Sequence, residues 1–184
     1  MRKPLKIPSR SSSITNAFVQ SIIPFDPPSE VDKAEVLAFF GQSSGEMTCV
    51  YCGSSANDWD HLLPLVRNKR PTGFFSGKGN VVPACGRCNQ SKSGQDWEKW
   101  VRGASTNSPK SRGVKDLEER VDRLARYVES YPQSAENLEE LVDPALWAAY
   151  WSKLGEIHES LRAAQSLADE IAGQIRESRF RYQR

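Results

Sequence analysis

The chain is poor in the side chains that bind transition metals or form disulfides. Its 184 residues include only four cysteines and two histidines. All four cysteines belong to two Cys-x-x-Cys pairs, Cys49 with Cys52 and Cys85 with Cys88. No cysteine is left over for a disulfide framework, and this spacing is typical of a metal site in a reducing compartment. We therefore expect a cytoplasmic protein.

Long apolar runs are missing as well. No stretch approaches the roughly 20 consecutive apolar residues that a membrane helix needs. The basic N-terminal sequence has no apolar segment before a cleavage site, so no secretory signal is predicted. Charged residues make up 26% and aromatic residues 9% of the chain, which is typical of soluble folded proteins. We expect neither a membrane nor an organic cofactor as a partner.

Acidic residues are scarce between residues 65 and 112. This segment holds ten Lys or Arg residues but only Asp96 and Glu98 as acids, an excess of eight positive charges in a chain whose net charge is +2. A surface that neutralises several phosphates needs such a local excess. The alternative is a solvated basic face, which is the usual meaning of a charge run.

Four segments are predicted along the chain. Residues 1–46 form a flexible basic arm followed by a helix, residues 47–102 carry the metal motif, residues 103–113 form a polar linker, and residues 114–184 are helical. The N-terminal helix is capped by Ser29 and runs to about Phe40. Its expected buried residues are Val31, Val36, Leu37 and Phe40.

The C-terminal segment contains two apolar stripes at alternating spacings of three and four. The first stripe runs from Val114 to Tyr131 and is stopped by Pro132, and the second runs from Leu154 to Ile175. Stripes of this kind bury one face of a helix against another helix. An antiparallel helical hairpin packed internally is one arrangement, and a dimer interface is the other.

Each Cys-x-x-Cys pair can present two thiolates from one tight turn, and four thiolates complete a closed tetrahedral zinc site. A closed site leaves no position for water, so this zinc is expected to be structural. Zinc binding can fold a segment that has little core of its own. Paired knuckles also occur in proteins that only bind partners, so they do not by themselves predict an enzyme.

Polar residues between and beside the knuckles point to a second chemistry. The segment reads, in order, CVYC, DHLLP, NV and CGRCNQSK. This order resembles the HNH endonuclease family, also called His-Me finger or ββα-metal nucleases, over roughly residues 47–100. Type II restriction endonucleases are one group that the resemblance suggests. The residues concerned are Asp60, His61, Asn80 and Asn89.

The resemblance implies a small zinc-stabilised ββα-metal core, so with the predicted helices the fold class is α+β. It implies that the first strand ends at His61, that His61 is the general base activating water, and that Asn80 fixes the His61 ring. It also implies that the helix starts near Asn89 and that Asp60 and Asn89 bind one catalytic divalent cation, Mg²⁺ or Mn²⁺. Phosphodiester hydrolysis needs such a base and a hard cation beside the departing oxygen.

Basic and polar side chains around the motif are predicted to contact DNA phosphates or base edges. They are Arg67, Asn68, Lys69, Arg70, Lys78, Arg87 and Lys92. For Lys92, a role in helix contacts is an equal alternative. Trp97 and Trp100 are predicted to pack the metal domain, and His158 is given no role.

The leading hypothesis is a DNA endonuclease that hydrolyses phosphodiester bonds by a one-metal HNH mechanism. By analogy with small stand-alone members of the family, it would act in restriction or phage defence as a homodimer on double-stranded DNA. The alternatives are a non-catalytic zinc-dependent nucleic-acid-binding module and a subunit of a larger defence or phage assembly. Binding alone does not require the Asp, His and two Asn residues of the motif, so their joint presence favours the enzyme.

Overall fold

The structure is a computed structural model that describes residues 5–181. Its contacts divide the chain into two compact units: residues 20–137, and residues up to 19 together with those from 138 onward. Helices combined with two small antiparallel sheets confirm the α+β fold class. None of the described helices has both the length and the apolar character needed to span a bilayer.

The sheet that carries the predicted site consists of β1 (Asp58–His61) and β4 (Val81–Ala84). The two strands are antiparallel, and the register sets His61 opposite Val81. All four residues of β4 are buried, so β4 is the inner strand of this sheet. β1 ends at His61, as the sequence predicts.

A single residue, Cys85, separates β4 from α3 (Gly86–Lys92), which packs against β1. The order strand, strand, helix agrees with the predicted ββα arrangement, but the helix begins at Gly86 rather than near Asn89. Asn89 lies three residues before Lys92, and residues at this spacing project to the same side of a helix. Because the Lys92 side chain is buried, this side is the one that faces the core.

A second, two-residue sheet lies within the connection between β1 and β4. β2 (Val66–Arg67) and β3 (Arg70–Pro71) pair around a tight turn formed by Asn68 and Lys69. Both turn residues have positive φ, 51° and 63°, as two-residue hairpin turns of the primed types require. Residues 67–70 are all exposed, so the hairpin presents three basic side chains and one amide at its tip.

α2 (Glu30–Phe39) begins with the predicted cap. The Ser29 hydroxyl accepts from the Asp32 N–H at 3.1 Å, and the Asp32 carboxylate accepts from the Ser29 N–H at 2.9 Å, which forms a capping box. Val31 is 68% exposed rather than buried, because it lies four residues before the exposed Glu35, on the solvent side of the helix. The other predicted core residues are buried: Val36, Leu37 and Phe40.

The segment predicted as a linker, residues 103–113, is folded. The buried Ser108 hydroxyl donates to the Gly103 carbonyl at 2.7 Å, and the Lys110 N–H donates to the Val101 carbonyl at 3.2 Å. These bonds hold the segment against α4 (Trp97–Val101). The two tryptophans of this region, Trp97 and Trp100, are buried as predicted.

α5 (Leu117–Ser130) follows and ends before Pro132, as expected. Its buried residues belong to the same core cluster as the first cysteine pair: Val121, Leu124 and Tyr127. α5 is therefore part of the cysteine-containing unit. The chain divides differently from the predicted boundaries, which grouped this helix with the C-terminal one.

The other unit is built on α6 (Pro144–Arg181) and the N-terminal segment. The predicted flexible arm at the N-terminus is helical where it is described: a short 3-10 helix, Ile7–Arg10, leads into α1 (Ser11–Ser21). Residues 1–4 lie outside the described residues. The segment runs antiparallel to α6, with contacts that include Lys6 to Asp169 at 2.6 Å, Thr15 to His158 at 3.2 Å, and the Phe18 and Tyr150 rings at 5.0 Å. A segment held by contacts this distant in sequence has no local signal that would predict it.

Candidate functional site

The four cysteine sulfurs come together in one cluster. Cys52 Sγ and Cys85 Sγ are 3.7 Å apart, much farther than the about 2.05 Å of a disulfide bond. Four sulfurs placed tetrahedrally at about 2.3 Å from a zinc ion would lie about 3.8 Å from one another. The cluster can therefore hold zinc, and all its ligand atoms lie within 4.8 Å of one another: Cys49, Cys52, Cys85 and Cys88.

The first knuckle is positioned by backbone hydrogen bonds. The Gly53 N–H donates to the Cys49 carbonyl at 2.8 Å, and the Val50 N–H donates to the Pro83 carbonyl of β4 at 3.0 Å. Gly53 has a φ of 75°, which glycine adopts without strain. The knuckle is thereby tied to the strand that leads directly into the second cysteine pair.

The sulfurs interact strongly with each other and with one cation. Hydrogen bonding to the Cys52 sulfur raises the pKa of Cys49 to about 12, and the same pairing lowers the pKa of Cys52. Arg112 Nη2 donates to Cys88 Sγ at 2.9 Å. Four thiolates around one divalent cation carry a net negative charge, which Arg112 would partly offset.

Asp60 lies on the buried side of β1. Its carboxylate accepts a hydrogen bond from Tyr51 Oη at 2.6 Å and lies 3.1 Å from Lys92 Nζ. Asp60 is 5% exposed and Lys92 is fully buried. Burial raises the pKa of Asp60 and lowers the pKa of Lys92, while the attraction between the two charges opposes both shifts. Lys92 Nζ also donates to the His61 carbonyl at 2.7 Å, so it ties α3 to the end of β1.

His61 lies on the other side of the strand, because successive side chains of a strand alternate. Its ring Nε2 lies 2.7 Å from Ser76 Oγ, and the side chain is half-buried. Burial lowers the pKa of His61, and the nearby Lys92 ammonium lowers it further. His61 is therefore neutral at pH 7, and a neutral imidazole can accept a proton from water.

Asn80 is fully buried, but its amide does not bond to the His61 ring as predicted. Asn80 Oδ1 accepts from the Leu63 N–H at 2.7 Å, and Nδ2 donates to the carbonyls of Leu63 and Phe75, each at 2.9 Å. A buried amide takes the backbone partners that an irregular loop leaves free. Asn80 therefore joins the two ends of the loop between β1 and β4.

Two of the predicted DNA contacts, Lys92 and Lys78, form ion pairs with acidic residues. Of the two roles predicted for Lys92, a phosphate contact and helix contacts, its full burial and its 3.1 Å approach to Asp60 favour the second. Lys78 forms an ion pair with Glu35 and lies 4.9 Å from the centre of the Tyr131 ring. Its charge is therefore largely neutralised within the unit.

The remaining predicted contact residues are exposed. Four of them form the hairpin tip at residues 67–70, and Arg87 lies in the first turn of α3. Arg87 lines two surface depressions, one that it shares with Arg112 beside the cysteine cluster and one lined by polar side chains. These polar residues are Gln90, Ser91, Thr106 and Asn107.

Three residues of the site were not predicted from the sequence: Tyr51, Ser76 and Arg112. Tyr51 is a spacer residue inside the first Cys-x-x-Cys pair, and a buried tyrosine needs a polar partner for its hydroxyl. That rule could have flagged Tyr51 as a residue that contacts the motif. Ser76 and Arg112 lie in irregular segments that no motif marks.

The strands, helix and cysteine cluster define a small α+β module of the kind that zinc knuckles stabilise. No family model matches the chain, and no solved structure matches it. Among curated proteins, the chain is similar to the CRISPR-associated endonuclease Cas9 of Corynebacterium diphtheriae, with 32% identity over 84 residues. The match covers 44% of this chain but only 7% of that protein, so it is a similarity of one segment.

Proposed function

We propose that this protein is a metal-dependent DNA endonuclease of the HNH type, with His61 as its general base. The observation that carries the proposal is a half-buried His61 at the end of β1, in a strand-strand-helix core joined by four cysteines. The segmental similarity to a Cas9 endonuclease supports the same activity.

In the proposed reaction, His61 takes a proton from a water molecule and the resulting hydroxide attacks the phosphorus of a DNA phosphodiester. The bond from phosphorus to the 3′ oxygen breaks, and the 3′ oxygen leaves with a proton from solvent. The lowered pKa of His61 keeps the imidazole neutral at pH 7 and therefore able to accept the proton. The bond from Lys92 to the His61 carbonyl holds the backbone of this residue in place.

The donor set also suits a hard divalent cation, because a carboxylate and an amide oxygen are the ligands such ions prefer. Asp60 already attracts a positive charge, the Lys92 ammonium at 3.1 Å, and Asn89 lies on the same side of α3 as Lys92. We propose that Asp60 and Asn89 hold Mg²⁺ or Mn²⁺. Such a cation would supply positive charge to the departing oxygen.

The hairpin tip and Arg87 are the proposed contacts to the DNA backbone. Their basic side chains are exposed, and the hairpin lies within the same connection that begins directly after His61. Phosphate contacts of this kind fix the register of a duplex on a protein surface. The cysteine cluster takes no part in the reaction and holds the fold.

Cleavage of supercoiled plasmid in Mg²⁺ or Mn²⁺ tests the proposal, with both modified and unmodified DNA. His61→Ala should lower the rate by at least about 10²-fold, the scale of general acid–base catalysis. The matched control is His158→Ala, which removes the other histidine of the chain and should leave the rate unchanged. If folded wild-type protein binds these DNAs but never cleaves them, the non-catalytic binding module replaces the nuclease.

A role in restriction or phage defence is proposed for the same activity, and discrete fragments rather than a smear would support it. We also propose a homodimer formed through α6, since an apolar stripe on this helix is exposed. Its residues are Leu167, Ile171 and Ile175, at 62%, 59% and 55% exposure. Mass in solution tests this: Ile171→Glu should convert a dimer to a monomer, and a wild-type monomer would refute it.

A further inference from the structure

Ser76 lies in the loop between β1 and β4, and it is the hydrogen-bonding partner of the His61 ring. We propose that Ser76 orients the ring of His61: its hydroxyl holds Nε2 and leaves Nδ1 as the atom that takes the proton from water, which requires the tautomer with the proton on Nε2. Ser76 would then be a positioning residue that acts through His61. This inference rests on the proposed nuclease function.

The ring geometry leaves only one nitrogen for a water molecule. Nε2 is occupied by Ser76 Oγ at 2.7 Å, and within the described part of the chain Nδ1 makes no hydrogen bond. A neutral imidazole carries one proton, so one ring nitrogen donates and the other accepts. If Ser76 instead donated to Nε2, Nδ1 would carry the proton and could not act as a base.

The backbone on both sides of Ser76 is held in place. The Phe75 carbonyl accepts from Asn80 Nδ2 at 2.9 Å, and the Gly77 carbonyl accepts from the Asn80 N–H at 2.9 Å. The next carbonyl, that of Lys78, accepts from the Tyr127 hydroxyl. A serine fixed in this way can hold a ring in one orientation, which a serine on a free loop cannot do.

The part of the loop just before Ser76 is fixed by the segment that follows α5. The Glu136 N–H donates to the Gly73 carbonyl at 3.0 Å. Gly73 has a φ of 85°, and a Cβ added there would lie 2.0 Å from the Glu136 carbonyl oxygen, so only glycine permits this approach. Asn80, Tyr127 and Glu136 thus act on His61 indirectly, through the loop that carries Ser76.

Nitrogen NMR of the histidine ring tests the tautomer without relying on activity. His158→Gln leaves His61 as the only histidine, so its ring signals need no further assignment. At pH 8, where the ring is neutral, we expect the Nε2–H tautomer, with ring nitrogen shifts that change in Ser76→Ala because the hydrogen bond at Nε2 is lost. A ring protonated on Nδ1, or a spectrum that Ser76→Ala leaves unchanged, would overturn the proposal.

Kinetics of plasmid cleavage give the second readout. Losing one neutral hydrogen bond that orients the base should lower kcat about threefold to tenfold in Ser76→Ala, with KM for DNA unchanged. Ser76→Thr keeps the hydroxyl and should restore most of kcat, while the exposed Ser55→Ala should match wild type. An unchanged kcat in Ser76→Ala, or a rise in KM alone, would refute the assignment. If wild type does not cleave at all, the nuclease proposal fails and the NMR result still decides the tautomer.

Discussion

Asp60 and His61 are neighbours on β1, but their surroundings are opposite. On the Asp60 side, a buried carboxylate is enclosed by the Tyr51 hydroxyl and the Lys92 ammonium. On the His61 side, a half-buried neutral ring meets a single hydroxyl, that of Ser76. The alternation of a strand therefore places a buried charged contact and a more accessible ring one residue apart. The Asp60 carboxylate contacts Lys92 of α3 and is also the proposed cation ligand, and the His61 ring is the proposed base.

The contacts of Asp60 also connect β1 to the two cysteine pairs. Tyr51 lies between Cys49 and Cys52, and its hydroxyl reaches Asp60. Lys92 lies four residues after Cys88 and reaches the same carboxylate. The two knuckles are thus joined twice, through their sulfurs and through Asp60. On the His61 side, the loop is held by hydrogen bonds and by the contacts of Lys78 with Glu35 and the Tyr131 ring.

The largest expected effect comes from breaking the cluster. Cys85→Ser should remove zinc and unfold much of residues 20–137, because structural zinc contributes about 10–16 kcal/mol in zinc-finger peptides. Zinc content per chain and the melting temperature measure this. Ser54→Ala is the matched control, because Ser54 Oγ lies 3.0 Å from Cys52 Sγ but is not a ligand. A Cys85→Ser protein with full zinc and an unchanged Tm would contradict a structural role for the cluster.

The next largest effect concerns the buried ion pair. Lys92→Met should destabilise the protein by about 3–5 kcal/mol, because it leaves the Asp60 charge buried without its partner. Urea denaturation measures the loss, and Lys69→Met on the exposed hairpin tip should change stability little. The double variant Asp60→Asn with Lys92→Met should recover much of the loss. A loss of unfolding free energy below about 1 kcal/mol for Lys92→Met would mean that the ion pair contributes little to stability.

The surroundings of His61 should determine the pH dependence of cleavage. A general base works in its neutral form, so a lowered pKa of His61 extends activity toward lower pH. The rate should be flat near pH 7 and fall about tenfold per pH unit only below the ordinary histidine value of about 6.5. Rates measured from pH 5 to 8 at fixed metal concentration check this. If the cleavage rate instead falls with an apparent pKa above about 6.5, burial does not disfavour the charged form of the His61 ring.

The smallest effect is expected at the hairpin. Lys69→Ala should weaken DNA binding and reduce the salt slope of log K by about 1, as for the loss of one phosphate contact. Binding measured across several salt concentrations gives the slope. Lys153→Ala serves as control because Lys153 is paired with Glu156 in the other unit. An unchanged slope for Lys69→Ala would remove the hairpin tip from the DNA interface.

The contrast between the two sides also explains what the sequence could predict. Cysteine spacing anticipated the cluster, and the alternation of side chains along a strand accounts for Asp60 and His61 facing apart. The partners of these residues were not predictable, since Ser76 and Arg112 come from irregular segments without periodic pattern. For Lys92 the sequence left a phosphate contact and helix contacts as equal alternatives, and in the structure a buried carboxylate holds its ammonium.

The N-terminal arm and α5 also pack against partners that the sequence pattern does not identify. The N-terminal arm lacks a strong apolar periodicity, and its helix is held by contacts to α6 more than 130 residues away. The stripe on α5 indicated a buried face correctly but did not identify what covers it. In the structure that partner is the core of the cysteine-containing unit.

Cleavage by His61→Ala, measured together with its zinc content and melting temperature, tests the central claim most directly. We expect a protein with the zinc content and Tm of wild type whose plasmid cleavage is lower by at least about 10²-fold. A folded, zinc-loaded His61→Ala protein that cleaves DNA as fast as wild type would contradict it.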